Sequence, residues 1–415
     1  MPSVLPFDII EQIIDIVGER EHRYLLKRLA LISHSFLQVC SKHLFATIDL
    51  HGAFPMHHIA SSKKGFVKLV KSRPGVVKYI RTLKYHVGDF GPPSDDDHLL
   101  SPILPNFLRT ISYLNCLTIS TSDEFDWNVL DSSLKSSFLH LMHLPTINYI
   151  NLSDIRNFSL SNLTPSVNLR RLDISSLRHC NSFEEDGSPE IVVQSKMAEI
   201  HEFHTSQSSL LTSKLLHAKR QDGQPAFNVM DLRRLSIYSR WSEDEQNIRY
   251  LLQNAELLEK LHLLIDDGSV VGLLSPRSCT LKVLDLSVPL YGSARLPLAG
   301  LCEELEAMAG HNIMEVLSIE VQVDANESGD LIGSIIQKLE KVLVNPGWSV
   351  LRQVSFRVFV ACFHKSSGNR AGLSKVLELL PDKYLSYLPK LESVAFNYSI
   401  YDNKCQCYFF TKHKF

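Results

Sequence analysis

The chain has 415 residues, of which 44% are hydrophobic and 21% are charged, and its formal net charge is −2. This composition is typical of a folded protein, and the lack of a basic excess argues against nucleic-acid binding. Eight cysteines are too few for a secreted scaffold held together by disulfides. The length allows two or three domains, or one extended repeat domain with an appendage.

The first predicted element is a helix at about 6–17, within the sequence SVLPFDIIEQIIDIVGE. Pro6 suits its first turn and Gly18 its C-terminal stop. Acidic residues interrupt the apolar run and no Lys or Arg precedes it, so it does not fit a secretory signal. Charged residues follow too soon for a membrane span. We therefore expect a cytoplasmic or nuclear protein with no membrane partner.

The apolar residues of this helix form two adjacent stripes at helical spacing. The stripes are Ile9, Ile13 and Ile16, and Ile10, Ile14 and Val17. Two stripes on one short helix predict two contacts, one with the helix's own domain and one with another protein. A helix that is fully buried in a core gives a similar pattern.

Two further helices are predicted within residues 24–45, with a break near Ser33–Ser35, because apolar residues continue at helical spacing on either side of it. Three short helices in so few residues bury too little apolar surface to be robust alone. We expect a partner to stabilise this module.

The sequence LPFDIIEQIIDIV, followed by LLKRLALISHSFLQVCSKHLF, resembles the F-box, the three-helix adaptor motif of ubiquitin-ligase substrate receptors. That family opens with LPxEIxxxIxxxL and continues with xLxxLxxVSRxFxxL. Ile32 stands where the family often has Val, and His34 where it often has Arg or Lys. The resemblance covers about residues 3–48.

The resemblance implies that the module docks on a Skp-type adaptor, which links it to a cullin scaffold and a RING-bound conjugating enzyme. The adaptor-binding residues that it implies are Leu5, Pro6, Ile9, Ile10, Ile13 and Ile32, with Phe36 as a support or contact. The alternative is that all of these side chains pack only against the next domain.

The rest of the chain repeats the pattern φ-x-x-φ-x-φ, where φ is apolar, as in LRRLDI (169–174), LEKLHL (258–263) and LKVLDL (281–286). The middle apolar residues fall at 83, 117, 150, 172, 203, 235, 261, 284, 317, 354 and 394. Each repeat ends in strand-like alternation, and helical patterns follow at 247–258, 298–310, 331–345 and 374–388. Strands that alternate with helices predict parallel pairing.

This part resembles an irregular leucine-rich-repeat domain, although the Asn or Cys of the repeat consensus is missing and the spacing reaches 40 residues. We therefore expect an α/β fold in which a three-helix F-box precedes a solenoid of parallel strands and helices. The expected domains are an F-box at 1–50, a helical linker with the first strand at 51–87, and the repeat-like domain at 88–415.

The linker carries a basic element, FVKLVKSRPGVVKYIRTLKY (66–85), which predicts a helix ending before Pro74, a short helix or turn, and then a strand. Basic side chains can bind phosphate, but six cations spread over seventeen positions are more typical of a solvated face. Polar loops are predicted at 88–102 and 179–190, and such loops often carry recognition.

Catalytic and metal-binding motifs are missing from the sequence: it has no phosphate-binding loop, dinucleotide fingerprint, zinc-protease motif or nucleophile elbow. The histidines of HEFH (201–204) fall in a predicted strand, and CQC (405–407) has no second pair of thiols. We expect no enzyme activity, no metal and no cofactor.

The combined interpretation is a non-catalytic substrate receptor of a cullin-RING ubiquitin ligase, which binds a Skp-type adaptor and a target protein. One alternative is a leucine-rich scaffold whose N-terminal helices only cap the repeats, as solenoid ends require. A less favoured alternative is an enzyme whose site the sequence does not reveal.

Overall fold

The computed structural model is a mixed α/β protein built on parallel strands. It describes residues 6–20, 22–50, 63–87, 103–163, 165–177, 191–192, 197–220, 222–239, 241–265, 272–274, 277, 279–290, 300–324, 329–361, 377–379, 382–383, 387–388 and 394–402. The predicted loops at 88–102 and 179–190 and the CQC pair lie outside these residues, as does most of the helix predicted at 374–388.

The helices are α1 (Phe7–Glu19), α2 (Arg23–Leu29), α3 (His34–Leu44), α4 (Lys63–Ser72), α5 (Leu104–Leu108), α6 (Ser132–Met142), α7 (Ser209–His217), α8 (Trp241–Asn254), α9 (Leu301–Met308) and α10 (Gly329–Leu343). The strands are β1 (Thr47–Leu50), β2 (Thr82–Val87), β3 (Cys116–Asp126), β4 (Tyr149–Arg156), β5 (Arg171–Ser175), β6 (Ile191–Val192), β7 (Ala198–Glu199), β8 (Glu202–Ser206), β9 (Lys219–Arg220), β10 (Phe227–Asn228), β11 (Arg234–Ser239), β12 (Lys260–Ile265), β13 (Val283–Leu290), β14 (Val316–Asp324), β15 (Gln353–Ala361) and β16 (Ala395–Asp402).

The chain divides into two compact units. The first contains Met1–Ile200 and Leu210–Asn228, and the second contains His201–Ser209 and Val229–Phe415. The division into an F-box, a linker and a repeat-like domain stays a prediction. The first strand, β1, falls inside the segment assigned to the three helices, because TIDL is too short to give a strand signal in the sequence.

In the first unit, β1 to β5 pair in parallel in chain order. The repeat positions predicted for this part are direct register partners: Leu83 pairs with Leu117, then Ile150, then Leu172. All four side chains are fully buried. The prediction of parallel strands, each presenting its middle apolar residue to the core, is therefore confirmed here.

In the second unit, β8 and β11 to β16 also pair in parallel in chain order. The predicted positions from 203 to 354 are again register partners. The predicted position in the last strand, Val394, is wrong, because Val354 pairs with Phe396 and not with Val394. A shift of two residues leaves the same side of a strand facing the core, so the sequence pattern fits either register.

One hydrogen-bonding device starts most of these strands. Two successive backbone N–H groups donate to a single carbonyl that immediately precedes the neighbouring strand. Arg81 and Thr82 donate in this way to Ala46, Asn115 and Cys116 donate to Arg81, and Lys282 and Val283 donate to Glu259. Because the device recurs in both units, it indicates that each strand and its helix form a structural repeat.

The two faces of the strands differ in chemistry. The apolar rows face helices, as where Phe138 of α6 meets Tyr85 of β2 with ring centroids 4.8 Å apart. The alternate residues form rows of polar side chains on the opposite face, such as Thr118, Asn151 and Asp173. We call this second face the open face.

Candidate functional site

Helices α1, α2 and α3 form a small module with its own core. The buried centre consists of Ile14, Leu26, Val39 and Cys40. Partly buried apolar side chains surround it, namely Ile10, Val17, Leu29, Ala30, Phe36 and Leu44. The break between α2 and α3 falls as predicted, and the Ser33 side chain caps α3 by accepting a hydrogen bond from the Phe36 N–H.

The acidic side of α1 faces the C-terminal turn of α3. Lys42 Nζ lies 2.5 Å from Glu11 Oε1 and 3.5 Å from Asp15 Oδ1, and His43 Nε2 lies 2.7 Å from Asp15 Oδ1. The hydrogen bond with His43 holds the pKa of Asp15 below its usual value, and the hydrogen bond to Glu11 raises that of Lys42. These contacts fix the rotation of α1 about its axis.

Gly18 permits this close approach of the two helices. A Cβ atom at this position would lie 2.2 Å from His43 Nδ1, well inside van der Waals contact. The prediction that Gly18 ends the helix is wrong, because α1 continues to Glu19. The residue is small because the His43 ring packs against it.

The rotation of α1 separates its two apolar stripes. Ile10, Ile14 and Val17 pack into the core of the module. Ile9, Ile13 and Ile16 face outward and are 40%, 48% and 52% exposed. We call these three residues the outer stripe. The prediction of one stripe buried in the module is confirmed, and the described part of the chain leaves the second stripe about half exposed.

Other exposed apolar side chains belong to the same three-helix module. They are Phe7, Tyr24, Leu25, Leu31 and Ile32. Of the 18 large apolar side chains exposed in the described residues, eight fall between positions 7 and 32. Single exposed apolar residues are ordinary on a protein surface, but eight of them within one small module make this module the candidate interaction surface.

The implied adaptor-binding residues divide into three groups. Leu5 lies outside the described residues. Pro6, Ile9, Ile13 and Ile32 are exposed, with Pro6 at the N-cap position of α1.

Ile10 and Phe36 instead pack against the core, so they support the surface from beneath. The adaptor-binding residues implied by the resemblance do not include Ile16 and Leu31, which are 52% and 86% exposed. Helical spacing with Ile9 and Ile13 could have identified Ile16. Nothing in the sequence singles out Leu31, which lies in the turn after α2.

A serine, a histidine and an aspartate meet on the open face of the first unit. Ser120 Oγ lies 2.8 Å from His86 Nδ1, and His86 Nε2 lies 3.4 Å from Asp49 Oδ1. A nucleophilic serine needs an accessible hydroxyl and backbone donors for the oxyanion. Ser120 is only 4% exposed, and its strand is paired on both sides, so these contacts join strands.

The open face of the second unit carries a polar network. His262 Nδ1 lies 3.1 Å from Asp285 Oδ2, and Arg357 Nη2 donates to Ser318 Oγ at 2.7 Å. Burial alone would raise the pKa of Asp285, but the hydrogen bond and charge of His262 and the charge of Arg357 lower it below its usual value.

The rings of Phe359 and Tyr401 stack beside this network with their centroids 4.6 Å apart. Together with the network they give the second unit an open face that combines charged and aromatic groups. A surface of this kind can contact both polar and apolar parts of another protein.

Among the described residues, no group of His, Cys, Asp and Glu side chains could hold a metal ion. No helix in the described ranges is long and apolar enough to cross a membrane. In comparisons with known proteins, no family model matches this chain and no curated protein shows significant similarity to it.

Proposed function

We propose that this chain is the substrate-recognition subunit of a cullin-RING ubiquitin ligase. In this proposal the three-helix module docks on a Skp-type adaptor, and the strand-and-helix repeats bind a target protein. Partner subunits carry out the transfer of ubiquitin. This chain contributes positioning, because holding a target beside the charged conjugating enzyme raises its effective concentration there.

The observation that carries the proposal is the outer stripe. Fully burying an exposed isoleucine is worth about 1.5–3 kcal/mol, so one that is half exposed contributes roughly 1 kcal/mol when a partner covers it. Three such residues, with the exposed Leu31 and Ile32 of the same three-helix module, supply several kcal/mol. Micromolar affinity requires about 8 kcal/mol net, so this burial supplies a large part of it and polar contacts with the partner would supply the rest.

Exposure of the outer stripe favours docking over the alternative of a leucine-rich scaffold. Helices that only cap the end of a sheet bury their apolar residues against it, as solenoid caps do. The module does join the first strands, since the Arg81 N–H donates to the Ala46 carbonyl after α3 at 2.8 Å. In this proposal the module serves both as an end for the sheet and as a docking surface.

The open face of the second unit is the surface that we assign to the target. Its charged network and its stacked Phe359–Tyr401 pair combine the two kinds of contact that protein interfaces use.

Co-purification with a Skp-type adaptor tests the proposal. The full chain should retain the adaptor, and a variant with Ile9→Asp and Ile13→Asp should lose it, because two charges would be buried without partners. Val129→Asp is the matched control, since Val129 is 76% exposed and lies outside the module. Failure of the wild-type chain to bind, or equal retention by the double variant, would refute adaptor docking and leave the scaffold alternative.

A further inference from the structure

Basic and aromatic side chains converge on a pocket of about 500 Å³ in the first unit. It is lined by Lys42, Lys78, Tyr79, Arg81 and Tyr113. These residues come from α3, from the 3-10 turn at Pro74–Tyr79, and from the residues just before β2 and β3. Among the described residues, the lining has three cations, two phenols and no carboxylate.

The pocket has a surplus of positive charge. Lys42 is neutralised by Glu11 and Asp15 on α1, at 2.5 and 3.5 Å. Lys78 and Arg81 have no carboxylate partner among the described residues. Each lies over a tyrosine ring instead, Lys78 at 4.9 Å from the centre of Tyr79 and Arg81 at 5.5 Å from that of Tyr113.

The pocket also has a surplus of hydrogen-bond donors. Arg81 Nη1 donates to the carbonyls of Lys78 and Ile80 at 2.7 and 3.1 Å, which fixes the guanidinium, and its other nitrogens make no hydrogen bond to a described residue. The hydroxyls of Tyr79 and Tyr113 make no hydrogen bond within the described part of the chain. The arginine fork, the ammonium group and the two hydroxyls therefore favour a ligand with several acceptor oxygens.

We propose that this pocket binds a phosphate monoester whose organic part is a flat ring. A phosphate dianion offers three terminal oxygens and up to two negative charges, which match the donors and the two uncompensated cations better than a planar carboxylate does. The ring lies against the tyrosine side chains. Two of the six cations that the sequence predicts as a solvated face thus form a binding site, independent of the outer stripe.

Titration of the full chain with phenyl phosphate tests the proposal by calorimetry or ligand-detected NMR. We expect saturable binding, with inorganic phosphate weaker because it lacks the ring. Lys78→Met should weaken binding about tenfold, as expected for loss of one charge-assisted contact. Lys68→Met is the matched control, because Lys68 lies in the same basic segment on the exposed side of α4. This variant should bind phenyl phosphate as the wild type does.

Arg81→Gln should weaken binding at least as much as Lys78→Met does. If the arginine variant is unstable, Lys78→Met still tests the site, because it disturbs no hydrogen bond of the fold. A phosphotyrosine peptide separates the possible sources, since tighter binding than phenyl phosphate indicates a phosphorylated protein and equal binding a small molecule. Absence of saturable binding to the wild type, or equal affinity in Lys78→Met and Lys68→Met, would overturn the proposal. So would inorganic phosphate binding as tightly as phenyl phosphate.

Discussion

Two adjacent isoleucines of α1 should respond very differently to the same substitution. Ile14 is 1% exposed at the centre of the module, whereas Ile13 is 48% exposed on the outer stripe. Replacing a buried isoleucine with alanine removes its burial and leaves a cavity, and costs about 2–5 kcal/mol. The module is small and can partly collapse around the gap, so we expect the lower end, about 2–3 kcal/mol, for Ile14→Ala.

For Ile13→Ala the expected cost is much smaller. Only half of the side chain is buried, so about 1 kcal/mol of burial is lost. Alanine recovers several tenths of a kcal/mol through its higher helix propensity. The net effect on the free energy of opening the module should be within roughly 0.5 kcal/mol.

Amide hydrogen exchange of peptides that span α1 to α3 is the suitable assay, because it reports opening of the module and not unfolding of the whole chain. Ile14→Ala should accelerate exchange by roughly 30- to 150-fold, and Ile13→Ala by less than about threefold. Equal acceleration in both variants, or a larger effect for Ile13→Ala, would show that α1 is rotated differently and that the outer stripe is not on the surface.

Three further outcomes follow from single contacts. Gly18→Ala should destabilise the module by about 1–2 kcal/mol, because the new methyl group displaces the His43 ring, and the loss should shrink in a His43→Ala background. The pKa of Asp15 is depressed in the folded state, so its contribution to stability is present above a pH of about 3.8. That contribution is lost as the pH falls through the lower pKa of the folded state. The exchange difference between wild type and Asp15→Asn should vanish below that lower pKa. Glu340→Ala should make the segment at 387–388 more sensitive to proteolysis, because the buried carboxylate accepts the two backbone N–H groups there at 2.7 and 3.0 Å.

Each of these three predictions has an outcome that would contradict it. A Gly18→Ala variant as stable as the wild type would mean that the helices are farther apart than the structure has them. A difference between wild type and Asp15→Asn that persists unchanged well below pH 3.8 would assign the effect to something other than the Asp15 charge. Unchanged proteolysis in Glu340→Ala would show that its hydrogen bonds do not hold that segment.

The sequence predicted much of the sheet because parallel strands repeat a local pattern. Leu83, Leu117 and Ile150 could be aligned from spacing alone, and they are register partners. The last strand was misplaced because Val394 and Phe396 satisfy the same pattern, and only pairing with β15 distinguishes them. That pairing is a contact between distant segments, which local periodicity does not contain.

The sequence predicts the two apolar stripes of the candidate site but not which of them faces the core. Both stripes of α1 consist of isoleucine or valine, so composition cannot tell which one faces the core. The choice depends on contacts made by α3, above all Lys42 and His43 with the acidic side of α1. Gly18 was misread for the same reason, since its role lies in its distance from the His43 ring.

The most direct test of the central claim is the affinity of the purified full chain for a purified Skp-type adaptor, measured by calorimetry at several temperatures. We predict a dissociation constant of about 1 μM or tighter and a negative heat-capacity change, because apolar surface is buried on binding. Ile9→Asp with Ile13→Asp should weaken the affinity at least about a hundredfold, and Val129→Asp should leave it unchanged. No measurable binding by the wild-type chain, or the same affinity in the double variant, would contradict the proposal that the outer stripe docks on an adaptor.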